Sequence, residues 1–194
     1  MIYRLFSPIV PILALVASYA PALAQITNIY TEGNLRPTHN LPCISAEEAR
    51  RDYSPADLAT SLKRCFENGD DARAIEMVVV LQLRGEFDAR RVSDKTAHGA
   101  YQVLIMDVAN AVGEDWAPRI TAAFEKFKGD GSDGHARICS MAKSQGAPNY
   151  RPDYMIAHGM KAVLGTIEGD GLVPGFDPQA SWAELLKDYL KCPS

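Results

Sequence analysis

Asp94 and His98 are the pair in this chain whose types and spacing come nearest to catalysis. Four residues apart on a helix they would share one face. A carboxylate beside an imidazole can fix its tautomer and make it a general base. Ser93 and Thr96 supply hydroxyls close by, though neither is an obvious nucleophile. A structural account competes with this one. Acidic residues favour the first turn of a helix through its macrodipole, and a histidine at the edge of an apolar stripe commonly finds a hydrogen-bond partner. The structural account is the simpler of the two.

Other patterns carry less. Ser140-Met141-Ala142-Lys143 has the Ser-x-x-Lys spacing of serine enzymes that acylate with penicillins, but Ser93-Asp94-Lys95 stands upstream, in the wrong order and without the asparagine. Met155, His158 and Met160 offer soft ligands to copper(I), with no Met-rich or His-rich tract around them. Asp130-Gly131-Ser132-Asp133 resembles the start of a calcium loop, yet the fifth and twelfth places fall on Gly134 and Met141, which lack the side-chain oxygens required. His39 and His135 have no zinc spacing. The expectation is no metal and no cofactor.

Protein interfaces are anchored by buried aromatic residues and arginines. Two groups have that make-up: Phe87 with Arg90 and Arg91, and Tyr150, Arg151 and Tyr154 around one turn. These six are the binding candidates, with ordinary core and surface roles as the alternative.

These residues must be positioned by a chain that starts as an export signal. Arg4 precedes an apolar stretch from Leu5 to Ala17, and Ala22-Leu23-Ala24 supplies the small residues a signal peptidase needs. Cleavage after Ala24 is expected, with no stable membrane insertion afterwards. It would leave 170 of the 194 residues, enough for one domain with a sizeable core. Only Arg4 among the charged residues would be lost, taking the formal charge from −4 to −5. Mild acidity without a basic patch argues against nucleic acid. Cys43, Cys65, Cys139 and Cys192 make an even count, which in an exported chain reads as two disulfides. Three connectivities are open. Cys43–Cys65 with Cys139–Cys192 is favoured, because each bond would tie a loop or terminus to a helix, for roughly 3–4 kcal/mol apiece.

Residues 25–42 are polar, proline-containing and aperiodic, and read as an extended arm before a helical domain at 43–194. Ser45 and Glu48 form a capping box for a short helix. Ser54-Pro55-Ala56-Asp57 opens a second, with Leu58, Leu62, Cys65 and Phe66 at helical spacing. A third spans about Asp71 to Arg84 and stops at Gly85. A long fourth runs from about Ser93 to Val112. A stripe of Trp116, Ile120, Ala123, Phe124 and Phe127 follows. Further helices are expected at about His135–Ser144, Pro152–Leu164, with Met160 and Leu164 facing inward, and after Asp177-Pro178, with Trp182, Leu185, Leu186 and Tyr189 on one side. The expected fold is all-α: a single domain of about seven to nine helices built from hairpins and stapled by two disulfides.

Leu58 through Gly85, two helices joined by Asn68-Gly69-Asp70 with Ala74 just inside the second, resembles one helix–turn–helix unit of the tetratricopeptide or Sel1 type. The family's tryptophan and terminal proline are missing, and the unit does not recur. The resemblance implies a hairpin used for binding protein. Three functional classes follow: an exported protein-binding module such as an inhibitor or immunity-type protein, whose partner is another protein; a small hydrolase using Asp94 and His98; and an envelope-assembly factor. The first is favoured.

Overall fold

The computed structural model describes residues 31–193. The expected signal, residues 1–24, and residues 25–30 of the arm lie outside that range. Helix α1 (Pro55–Glu67) begins where the sequence places it. Ser54 Oγ accepts from the Asp57 N–H at 3.2 Å, and the Asp57 carboxylate accepts from the Ser54 N–H at 2.7 Å. This reciprocal box satisfies two orphan donors at once. Leu58, Leu62, Cys65 and Phe66 are all buried. Gly69 turns the chain at φ +74°, a conformation that suits glycine, and Asp70 then caps α2 (Asp71–Arg91) by accepting from the Arg73 N–H.

Helix α2 does not end at Gly85. A Cβ at that position would overlap the Tyr101 ring, so glycine serves there to let α3 (Ala100–Val112) come close, and the helix continues six residues further. The long helix expected from Ser93 is also interrupted. Val92 leaves α2 in extended backbone, Asp94 is extended too, and a single 3-10 turn, Lys95–Ala97, precedes α3. At Gly113 (φ +75°) the chain turns into α4 (Trp116–Phe127). Arg119 of α4 reaches back to the hairpin, donating to Asp71 Oδ1 at 3.0 Å and to the Phe66 carbonyl at 2.9 Å, with its guanidinium over the Phe66 ring.

Ser132 caps α5 (Asp133–Gln145). The helix expected at Pro152–Leu164 is two short pieces, α6 (Asp153–Ile156) and α7 (Met160–Val163), separated at Gly159. Asp177 caps α8 (Pro178–Glu184), which widens into a turn over Leu185–Tyr189. The Ser45–Glu48 box closes one turn rather than a helix; Glu48 accepts from the Ser45 N–H at 2.8 Å.

Helix α2 is the axis of the core. Met77, Val80, Leu81, Leu83 and Phe87 are wholly inaccessible, and α1, α3, α4, α5 and α8 all pack on it. The fold is all-α as expected. Among the described residues there is no strand, only one isolated antiparallel bridge between Val92 and Leu172. No described helix is long and apolar enough to cross a membrane. Cys43 is bonded to Cys65 and Cys139 to Cys192, the favoured pairing. The first holds the segment before α1 against that helix. The second holds the end of the chain against α5.

The described part of the arm is less extended than its composition suggests. Thr31–Arg36 forms a turn whose Leu35 N–H donates to the Tyr154 carbonyl at 3.1 Å. The Leu41 N–H then donates to Thr60 Oγ1, and the Ile44 N–H to Ser61 Oγ. Buried Arg84 donates to the carbonyls of Ala49, Arg50 and Tyr53, fixing the loop before α1 from beneath.

Candidate functional site

Four of the six binding candidates meet around one residue that sequence reasoning did not single out, Asp88 near the end of α2. Its carboxylate is wholly buried. Oδ2 accepts from the hydroxyls of Tyr150 and Tyr154, each at 2.9 Å, and Oδ1 accepts from Arg91 Nε at 2.8 Å. The Arg91 guanidinium is held between two rings, 4.9 Å from the centroids of Phe87 and Tyr150. Phe87 in turn packs edge-on against Phe176 and Trp182.

Phe87, Arg91 and Tyr154 are therefore interior groups and not ready interface anchors, and Tyr150 is half-buried. The helical period explains the outcome for Phe87 and Arg91. They lie four residues apart on α2, one turn, with Asp88 beside them, so the core-facing side of the helix carries a charged pair at its C-terminal end. Arg90, next in sequence, faces outward to Glu184 at 3.2 Å. Arg151 is exposed, bonded to Asp153 and to the Asp170 carbonyl.

Burial pushes the Asp88 carboxyl above its ordinary range, and the charge and hydrogen bond of Arg91 oppose that push. Burial, followed by the Asp88 charge, drives the Tyr150 and Tyr154 hydroxyls well above the usual phenol value. The geometry leaves one donor over. Arg91 Nη2 lies 2.7 Å from Asp88 Oδ1, near enough for an ion pair but not aligned to donate to it, and this buried nitrogen has no hydrogen-bond acceptor. A buried donor without an acceptor costs about 1–3 kcal/mol.

Arg91 also forms part of the wall of a cavity of about 560 Å³. Ser93, Lys161, Glu168, Val173 and Phe176 are among the other walls. Two backbone bonds shape it: the Val173 N–H donates to the Arg91 carbonyl at 2.8 Å, and the Ser93 N–H to the Gly171 carbonyl at 3.0 Å. A larger cavity, about 930 Å³, lies between the starts of α2 and α5 and the end of α4.

The structure does not bring Asp94 and His98 together. Because the helix starts only at Ala100, the two do not share a helical face. Asp94 accepts from the Thr96 N–H and hydroxyl and from the Lys161 N–H at 2.8 Å. Burial raises its carboxyl, but these hydrogen bonds outweigh burial and hold it below its usual value. A Cβ on Gly159 would overlap the Asp94 carboxylate, so that glycine allows α7 to sit on it. His98 Nε2 meets the Val92 carbonyl at 2.9 Å. No hydrogen bond or ion pair joins Asp94 to His98; each is bonded to other groups.

The remaining candidates separate too. Met155 is buried, Met160 is exposed, and His158 Nδ1 meets Asn34 Oδ1 at 2.9 Å. Lys143 donates to the Pro193 carbonyl rather than to Ser140. The Asp130–Asp133 loop leads into the cap of α5. His135, Cys139 and Cys192 place their ligand atoms within 4.8 Å of one another, but the two sulfurs are bonded to each other. His39 Nδ1 lies 3.4 Å from Asp57.

Four of the seven large apolar side chains left exposed among the described residues fall between positions 160 and 173: Met160, Leu164, Ile167 and Val173; the others are Met106, Phe124 and Tyr189. Helical periodicity had put Met160 and Leu164 inside. The break at Gly159 ends that period, and α7 turns them outward. No protein family, curated protein or solved structure matches this chain.

Proposed function

We propose that this chain works outside the cytoplasm, in a periplasm or secreted, as a small helical module that binds another protein, such as an inhibitor or an immunity-type protein. The observation that carries the reading is the run of exposed apolar side chains at Met160, Leu164, Ile167 and Val173. Single exposed apolar residues are ordinary, whereas a concentration of them marks a contact surface. The supports beneath that run are firm: Asp94 holds the start of α7, and the bridge at Val92 and Leu172 holds its far side. A surface fixed in this way loses little entropy on binding. The two disulfides fit an oxidising compartment.

The test is a pull-down of the oxidised chain from envelope and culture-supernatant fractions, beside a Leu164→Glu, Ile167→Lys double variant. One stoichiometric partner that survives high salt and is lost by the variant supports the reading. A clean bait in both fractions, or a partner held equally by the variant, overturns it.

A further inference from the structure

We propose that Cys139–Cys192 is a site of thiol–disulfide exchange: an external thiol attacks Cys192, and Cys139 leaves as a thiolate held by His135. The donor is in place before the reaction. His135 and Cys139 lie one turn apart on α5, both buried, and His135 Nε2 is 3.6 Å from Cys139 Sγ. The tautomer follows from the backbone. The Gly131 N–H donates to Nδ1 at 3.1 Å, so Nδ1 is the acceptor and the ring proton sits on Nε2. That N–H faces both the Leu190 carbonyl, at 2.6 Å, and Cys139 Sγ. Asp130 Oδ1, on the exposed loop, is 3.9 Å from the same nitrogen, too far to take the proton. A disulfide sulfur is a weak acceptor, whereas a thiolate is charged and draws the N–H strongly. The bond therefore strengthens as the S–S bond breaks, which speeds the step.

The two sulfurs divide the roles. Cys139 is 3% exposed, while Cys192 is half-buried between exposed Lys191 and Pro193 and is the sulfur a thiol reaches. The incoming thiolate bonds to Cys192 Sγ, the Sγ–Sγ bond breaks, and its electron pair passes to Cys139. A second thiol then displaces Cys192, leaving a dithiol protein and one external disulfide. Opening the bond unties the segment after α8 from α5. Cys43–Cys65 is the internal control. It too joins a buried to a half-buried cysteine, but neither sulfur takes a hydrogen bond from any described residue. A leaving sulfur whose thiolate is stabilised departs faster. This inference does not depend on the protein-binding reading.

The test is reduction of the folded, oxidised protein by glutathione at neutral pH, quenched with acid and followed bond by bond by alkylation and peptide mass spectrometry. Cys139–Cys192 is expected to open about tenfold faster than Cys43–Cys65, with glutathione caught on Cys192. His135→Leu removes the donor and should slow that opening about tenfold, whereas lost packing alone would speed it. Because His135 is buried and this variant can fail to fold, the two readings on the unaltered protein stand as a separate arm. Equal rates for the two bonds, glutathione caught on Cys139, or unchanged or faster opening in a folded His135→Leu each overturns the proposal.

Discussion

Asp57 and Asp88 are both wholly buried carboxylates on the two helices of one hairpin, and they are satisfied in opposite ways. Asp57 is surrounded by neutral donors: the N–H groups of Thr38, His39 and Ser54 at 2.6–2.7 Å, and the hydroxyls of Thr38 and Ser54. Asp88 has a full cation and two phenols. The first arrangement spreads the negative charge over many backbone dipoles and stitches the arm to α1. The second concentrates opposite charges in the interior and ties the end of α2 to residues 150–154. Backbone donors make a carboxylate a fastener. A buried cation makes it half of a unit, neither part of which tolerates loss of the other.

The largest expected effect tests that dependence. Asp88→Ala would strand the Arg91 guanidinium without its counter-charge, at a cost of about 3–5 kcal/mol, read from denaturant unfolding of the oxidised protein. Asp57→Ala should cost less, about 2–3 kcal/mol, because Thr38 and His39 lie at the surface and their donors can turn to water. Its distinguishing signature is faster amide hydrogen exchange confined to residues near 38–44. If Asp57→Ala proves the more damaging, the contrast between fastener and unit fails.

Smaller changes sharpen the comparison. Tyr150→Phe and Tyr154→Phe should each cost about 1 kcal/mol. Since both hydroxyls share Asp88 Oδ2, the double variant should depart from additivity. The pH dependence follows in sign. Folding raises both phenol pKa values above the ordinary 10.0, so their contribution is complete below pH 10 and declines as pH rises toward the folded values. Tyrosinate absorbance from these two rings should therefore appear together with alkaline unfolding. The smallest effect is at His158. Burial lowers its imidazole pKa below the ordinary 6.5, so its contribution is present above that value and is lost as pH falls through the folded pKa. A nuclear magnetic resonance titration of this ring should give a midpoint below 6.5.

The same contrast explains what the sequence made legible. Ser54, Pro55 and Asp57 are neighbours, so the cap of α1 could be read directly, and so could the cap at Asp177. The two tyrosine partners of Asp88 lie 62 and 66 residues away, and no local pattern announces them. Tyr150, Tyr154, Phe87 and Arg91 were recognisable as the right chemical types, but their residue types alone could not say that they face one another and not a partner. Glycine misled in one direction at Gly85, where close packing of Tyr101 keeps the helix running. It misled in the other at Gly159, where contact with Asp94 breaks one. Asp94 and His98 fell apart because a helical period was assumed across a segment that the Val92–Leu172 bridge holds extended.

The Cys139–Cys192 bond encloses α6, α7, α8 and the exposed loop at 164–170 within one covalent ring of the chain. A protease that cuts a single peptide bond in that loop would therefore release nothing. The nicked molecule would gain the mass of one water and migrate close to the uncut chain on a non-reducing gel. Reductant would separate it into two fragments. Damage to this part of the protein, including the exposed side chains of Leu164 and Ile167, is visible by size only after the sulfur bridge is opened.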